Sequence, residues 1–284
     1  MTPAVLLRSA AERFRRAGIP DPETDSSLLL SHICGLHPLS LRLDTETELD
    51  TETLDTYAEL AERRVKREPL QYITGEAPFF GRIFHVDNRV LIPRPETELL
   101  CEWLLQLIPA SSDVYLLDLC CGSGCIGLTI LLERPFLHVT LSDISSDALS
   151  VAQLNAKHFG ISAEFQCCDL TADFSDHSFD YIITNPPYIP SSDCPNLQKE
   201  VLCEPLSALD GGKDGLDFYR RIAEDAPRIL KPGGRLLMEL GFNESSEVSE
   251  LLDAYGYTDI VVRKDLNGLD RMIMATSALW RAYV

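Results

Sequence analysis

From Val114 to the end of the chain, apolar residues fall into short runs separated by amphipathic stretches. The runs predict strands over 114–119, 138–142, 163–167, 179–184 and 234–240, and the stretches between them predict helices over 125–133, 146–159 and 215–230. Alternation of this kind builds a mostly parallel sheet with helices on both faces. Two further strand-like runs, 257–263 and 270–275, are joined by a loop too short for a helical crossover, so an antiparallel pairing is expected at the end of the chain.

The first third has a different period. Asp21 followed by Pro22 is a helix start, and Leu28, Leu29 and Ile33 then recur on one face. Leu54, Tyr57, Ala58, Ala61 and Val65 repeat with the same spacing, so residues 1–70 predict a small bundle of short helices. Near Pro78 the pattern becomes alternating: Phe84 and Val86, a possible turn at Asp87-Asn88, then Val90 and Ile92 predict a hairpin. Pro93 and Pro95 stop extended structure, and a helix is expected from Glu96 through Leu99, Leu100, Trp103 and Leu104. The expected division is a helical domain over 1–75, a β-hairpin linker over 76–92 and an α/β domain over 93–284.

Composition narrows the partners. With 45% apolar and 24% charged residues the chain is that of an ordinary soluble globular protein. Val114 to Leu132 is hydrophobic, but Asp118 and the glycines at 122, 124 and 127 interrupt it, which reads as strand, turn and helix start rather than a membrane span. No long apolar core precedes Arg8, so no secretory signal is expected and the cytoplasm is the expected compartment. The formal charge of −19 divides into −4 over residues 1–75 and −15 over the remainder. Neutralising phosphates requires Lys and Arg, so this balance argues against direct nucleic-acid binding. The cluster Arg63, Arg64, Lys66, Arg67 is read as the solvated end of a helix. Nine cysteines without a C-x-x-C pair predict packed, reduced thiols and no metal; Cys121 and Cys125 have a ligand-like separation but no histidine nearby in sequence.

The candidate chemistry begins where strand 114–119 ends in Asp118-Leu-Cys120-Cys121-Gly122-Ser123-Gly124. Glycines at a strand-to-helix turn let the backbone approach a ligand, and the helix start offers free N–H groups to it. Gly122-Ser-Gly124-Cys-Ile-Gly127 is also a literal G-x-G-x-x-G, and Asp143 ends the next strand where a ribose-binding acid belongs. The motif alone does not separate a dehydrogenase from a methyltransferase. Two features favour methyl transfer: Asp118, a carboxylate suited to a zwitterionic methionine part and repelled by pyrophosphate, and the antiparallel final pair. Asp169, after strand 163–167, is placed to accept a hydrogen bond from an adenine amine, or is simply a loop carboxylate.

The most specific signal is Asn185-Pro186-Pro187-Tyr188, directly after the apolar strand 181–184. Two prolines fix φ and remove donors, predicting a rigid, exposed turn at the carboxyl end of a strand, where open α/β sheets bind ligands. An amide nitrogen is a poor nucleophile because its lone pair is delocalised, so an enzyme must orient it. The side-chain oxygen of Asn185 can accept one N–H, the carbonyl of Pro186 the other, and Tyr188 can stack on the planar group. Leaving such an amide unpaired in a pocket costs ~2–7 kcal/mol, so two matched acceptors also select NH₂ over hydroxyl groups. No metal and no strong base is required, because positioning and charge stabilisation suffice for displacement at an activated methyl.

With Arg94-Pro-Glu-Thr-Glu98, Asn155-Ala156, Glu204-Pro205, Gly212-Lys-Asp-Gly215-Leu216, Leu230-Lys-Pro-Gly-Gly234 and Asp265 to Arg271, these segments make the chain resemble the release-factor glutamine methyltransferases, the PrmC/HemK family, along nearly its whole length. The resemblance implies an α/β fold: a Rossmann-like, seven-stranded methyltransferase domain with an antiparallel last strand, preceded by a small helical domain that helps hold the protein substrate and by a hairpin linker. It implies S-adenosylmethionine as cofactor, leaving as S-adenosylhomocysteine. Cys120, Cys121, Gly122, Ser123, Gly124 and Asp143 would bind it, with Asp169 and Leu170 near adenine and Asn185 beside the methyl group. Asn185, Pro186, Pro187 and Tyr188 would hold the glutamine of the Gly-Gly-Gln loop of peptide chain release factors, and a monomer is expected. Cys120 stands where the family usually has glycine, so it must avoid positive φ or bear the strain. Leu170 replaces a larger, often aromatic residue. The competing readings are a DNA or RNA adenine methyltransferase, disfavoured by charge, and a dinucleotide-sensing module, which leaves the tetrapeptide unexplained.

Overall fold

The computed structural model describes residues 1–109 and 113–278. The chain divides into two compact units, one of Met1–Glu76 with Gln198–Cys203, the other of Ala77–Leu197 and Glu204 onward.

The first unit is helical: α1 Pro3–Arg16, α2 Pro22–Cys34, α3 Pro38–Leu43, α4 Thr51–Val65 and α5 Leu70–Thr74. Proline opens each of the first three, where its missing N–H costs nothing. Asp50 caps α4 by accepting the Thr53 N–H at 2.7 Å. The core joins Leu7 and Phe14 of α1, Leu29 and Leu30 of α2, and Tyr57 and Ala61 of α4. Two expected core positions are exposed instead, Leu28 and Ala58. On α4 the buried face turns to include Arg64, which is 4% exposed.

Arg64 corrects the reading of the basic cluster as a solvated helix end. Its guanidinium meets Asp25 at 2.8 Å and Glu200 at 2.9 Å, and donates to the Glu68 carbonyl at 3.1 Å. Arg67 grips both oxygens of the same Glu200, at 2.6 and 2.5 Å, and Arg63 pairs with Glu68. The acid partner is more than 130 residues away in sequence (|i−j| = 133). Residues 198–203, placed by sequence pattern in the α/β domain, therefore count with the helices.

The second unit carries a seven-stranded sheet of β3 Tyr115–Leu119, β4 His138–Asp143, β5 Glu164–Cys167, β6 Phe179–Thr184, β7 Leu230–Glu239, β8 Thr258–Lys264 and β9 Asp270–Thr276, in the order β5-β4-β3-β6-β7-β9-β8. The first five are parallel, and β9 runs antiparallel to both β7 and β8. Helices α6 Pro95–Leu107, α7 Cys125–Glu133 and α8 Ser146–Phe159 share one core with Leu116, Ile183 and Leu237. Helices α9 Asp217–Ile229 and α10 Ser245–Ala254 share the other with Leu117, Ile182 and Leu236. Adjacent strand residues face opposite cores, which is the period-2 geometry of a sheet covered on both sides.

Three local expectations change. The hairpin forms earlier than predicted, from β1 Glu76–Phe79 and β2 Arg82–His85 about Phe80-Gly81, while Val90 and Ile92 lie outside strands. Gly81, at φ 71°, makes the hairpin turn that was expected at Asp87-Asn88. Strand β7 begins at Leu230 rather than 234, with a register shift before the regular ladder resumes at Tyr181↔Arg235. Helix α10 was not predicted; it buries only Val248 and Leu252, too few positions to show a period. Among the described residues no helix is long and apolar enough to cross a membrane.

Burial pushes the Glu200 carboxyl up, but the Arg67 and Arg64 hydrogen bonds outweigh it and hold the group at about 2. A depressed carboxylate contributes stability above its unfolded value of 4.5 that is lost as pH falls toward 2. Glu200→Ala, which strands Arg64, is expected to lower unfolding free energy by roughly 3 kcal/mol in urea titrations at pH 7. The difference from wild type should shrink in acid.

Candidate active site

The strand order reverses at β3, which has β4 on one side and β6 on the other. Chains leaving the carboxyl ends of β3 and β6 diverge there, which opens a crevice. A cavity of 460 Å³ occupies it, a size usual for small-molecule sites.

One wall is the turn after β3. Cys120, Gly122 and Gly124 all have positive φ, at 58°, 53° and 78°. Cys120 thus bears the strain that its side chain threatened, at a cost of about 1–2 kcal/mol. The three motif glycines serve different ends. A Cβ on Gly122, a wall residue, would meet nothing within 4 Å, so its backbone lies open. A Cβ on Gly124 would lie 3.0 Å from Leu141, and one on Gly127 2.9 Å from Asp118, so these two permit packing of α7 on the sheet.

Asp118 is not part of the cavity wall, contrary to its expected place beside a ligand. It is fully buried, and its Oδ2 accepts the Gly127 N–H at 2.8 Å. Burial raises its carboxyl to about 8 against the opposing pull of that hydrogen bond.

Asp143, at the end of β4, does line the cavity. Its Oδ2 accepts the Gly122 N–H and its Oδ1 the Ser145 N–H, both at 2.9 Å. Each carboxylate oxygen has a second lone pair, so the group still has capacity for hydroxyl donors. Asp169 and Leu170, after β5, line the cavity too. Asp169 is paired with Arg221 of α9 at 2.8 Å, a wall residue that sequence reading missed. Leu170 is buried with φ 51° and packs into the core under α9.

The opposite wall carries Asn185 and Pro187. Both prolines of the tetrapeptide are buried and Asn185 and Tyr188 are half-buried, so the turn is embedded rather than exposed as expected. Its continuation is clamped by the loop before α9: Ile189 N–H donates to the Leu209 carbonyl at 2.9 Å and Gly211 N–H to the Ile189 carbonyl at 2.8 Å. A Cβ on Gly211 would stand 2.7 Å from the Tyr188 Cα, which only glycine tolerates. Tyr188 packs against the α9-side core, and burial, with Glu239 nearby, pushes its phenol pKa up. Cys121, Ser123, Gly124, Pro186 and Tyr188 are not among the residues lining the cavity, whereas Cys120, Gly122, Asp143, Asp169, Leu170, Asn185 and Pro187 are.

Beneath Asn185 lie two residues with no role in the site assigned from sequence, Thr97 of the Arg94–Glu98 segment and Glu239. Asn185 Nδ2 donates to Thr97 Oγ1 at 3.3 Å, and Thr97 Oγ1 donates to Glu239 Oε2 at 2.6 Å. Burial lifts Glu239 to about 7, against hydrogen bonds from Thr97 and Asn185 and the charge of Arg271. Burial likewise keeps the Cys120 and Cys121 thiols protonated. Cys167 and Cys203 are exposed, so not every thiol is packed as expected. Among the described residues no group of three or more His, Cys, Asp or Glu could hold a metal.

The chain matches the PrmC N-terminal domain over residues 5–75 and the methyltransferase small domain over residues 97–213. It is 40% identical over 278 residues to the release factor glutamine methyltransferase of Chlorobaculum tepidum, covering 94% of each chain. It is also 40% identical over 278 residues to the release factor glutamine methyltransferase of Cereibacter sphaeroides, covering 97% of this chain and 98% of that one. Among solved structures, a methyltransferase from Pyrococcus furiosus superposes with a TM-score of 0.54 at 17% identity, covering 71% of this chain and 91% of that one. A 16S rRNA N2 G1207 methyltransferase from T. thermophilus, in complex with AdoMet and guanosine, superposes with a TM-score of 0.52 at 19% identity, covering 71% and 49%. At such identities these two structures bear on the fold alone.

Asp118 gives this site a pH signature. Its carboxyl is raised from 3.8 to about 8, so its contribution to stability is fully present below pH 3.8 and is lost as pH rises through 8. Asp118→Asn keeps an oxygen for Gly127 and cannot ionise. In urea titrations across this range the variant's stability should fall less than that of wild type.

Proposed function

Because the chain belongs to the release factor glutamine methyltransferase family, we propose that it transfers a methyl group from S-adenosylmethionine to the side-chain amide nitrogen of the glutamine in the Gly-Gly-Gln loop of peptide chain release factors. The observation that carries this reading is the sharing of one cavity by Gly122 and Asp143 on one wall and Asn185 on the other. An acceptor bound at Asn185 would then lie within reach of a cofactor bound over the glycine turn.

The residues present fit that cofactor. Gly122 leaves open backbone at the wall, and Asp143 retains acceptor capacity there for a ribose diol. The turn from Cys120 to Gly124 would hold the methionine part, and Leu170 would cover the adenine. Asp169 would take the adenine amine through the oxygen that Arg221 leaves. When bound, the cofactor supplies a methyl group already activated by its sulfonium.

The rest falls to the chain's own side chains. Asn185 Oδ1 accepts one amide hydrogen of the glutamine and the Pro186 carbonyl the other, which fixes the nitrogen in line for displacement. Tyr188 borders the position of the planar amide. The two acceptors also stabilise charge growing on nitrogen, and the proton leaves to solvent. The helical unit, through its own surface, is the part we assign to holding the rest of the protein substrate. We further propose a cytoplasmic monomer that acts without a metal or direct contact with nucleic acid.

The test is transfer of labelled methyl to a bacterial release factor, to its loop Gln→Ala variant, and to single- and double-stranded DNA. Label on the wild-type factor alone is expected; label on DNA with none on the factor would replace the glutamine reading with an adenine one. Asn185→Ala should lower turnover by roughly 10²–10³ with little change in cofactor affinity. Asp143→Ala should mainly weaken cofactor binding by calorimetry; unchanged affinity would place the ribose elsewhere.

A further inference from the structure

The Asn185 carboxamide can present either end to the cavity, and only one end suits an amide donor. Its oxygen accepts an N–H, whereas its NH₂ would oppose one. Nothing in the tetrapeptide itself chooses between them, so the choice must come from what lies behind it.

We infer that Thr97 and Glu239 are positioning residues that lock the Asn185 carboxamide with its oxygen toward the acceptor, an inference that rests on the glutamine-methylating reading above. Thr97 sits in the first turn of α6, 2% exposed, and Glu239 is the last residue of β7, 1% exposed. Strand β6 pairs with β7 so that Thr184 lies beside Met238, which puts Asn185 and Glu239 one step further along their parallel strands. The sheet register thus sets the carboxyl behind the carboxamide.

The argument is one of proton counting. With Glu239 ionised, its oxygens only accept, so the one hydrogen of the Thr97 hydroxyl goes to Glu239 Oε2 at 2.6 Å. What remains on Thr97 Oγ1 is acceptor capacity, so its neighbour at 3.3 Å must be a donor. Of the two ends of the Asn185 amide only Nδ2 qualifies, and Oδ1 is left to the cavity. Inverting the amide would set two acceptors against each other in a buried place, a loss comparable to an unmade hydrogen bond. Glu239 is fixed in turn by the tertiary structure, with its backbone carbonyl accepting from the Tyr219 hydroxyl at 2.9 Å.

Thr97→Val keeps the shape and removes the hydroxyl; Thr97→Ser restores it. With labelled cofactor and a release factor, Thr97→Val is expected to lower kcat roughly 10-fold, while cofactor Kd and release-factor KM stay near wild type. Thr97→Ser is expected to recover most of the lost turnover. A release factor with loop Gln→Glu offers only acceptor oxygens and should inhibit wild type poorly. It should inhibit Thr97→Val several-fold better, because the freed amide can turn its NH₂ inward. A mere packing role would not move that inhibition.

Wild-type turnover in Thr97→Val, or a loss that Thr97→Ser fails to recover, overturns the inference while labelled wild-type factor keeps the functional reading. A wild-type enzyme that labels no glutamine overturns both.

Discussion

The hydrogen bond from the Gly127 N–H to the buried Asp118 carboxyl fastens the start of α7 to the end of β3. Two ends held this close leave a short path for the residues between them, and the chain takes it with left-handed backbone at Cys120, Gly122 and Gly124. That path turns the Gly122 N–H toward Asp143 of the neighbouring strand, which joins the turn to the acid. Asn155 secures the same turn from behind: its buried carboxamide donates to the carbonyls of Ser123 and His85 and accepts the His85 N–H at 2.7 Å. The glycine turn is therefore held from behind by Asp118 and Asn155, which do not line the cavity, and from its open side by Asp143, which does.

Much of the fold was legible because periodicity reports burial directly. Runs such as Tyr181 to Thr184 are apolar on both faces, as a central parallel strand must be, and apart from the early start of β7 their bounds match the structure to within a residue or two. Legibility failed where burial was slight or a partner was remote. Helix α10 buries two side chains, and no short window distinguishes that from a loop. The basic cluster on α4 looked solvated because Glu200, which covers it, is far away in sequence and in a segment with no regular period.

The site was legible in outline for a different reason. Glycine, proline and acid at strand ends are chemical punctuation, visible without knowledge of the fold, so Gly122, Asp143 and Asn185 could be named from one sequence. Their supports could not. Thr97 lies in the Arg94–Glu98 segment and Glu239 at the end of an apolar strand, but nothing in the sequence ties either to Asn185; only the register of β6 on β7 together with the approach of α6 brings them under it. Asp118 was misplaced because a sequence shows that a carboxylate ends a strand but not which way it points.

The three glycines of the turn carry a lesson about descent. Gly124 and Gly127 answer to the packing of Leu141 and Asp118, demands that any chain keeping this helix on this strand would continue to impose. Gly122 answers to open space and to a left-handed backbone at φ 53°, a conformation that Cys120, two residues earlier, adopts without being glycine. In a descendant that had abandoned its small-molecule ligand, selection would preserve two of the three and release the third. A glycine fingerprint is thus mostly a record of architecture, and persistence at Gly122 is what speaks of use.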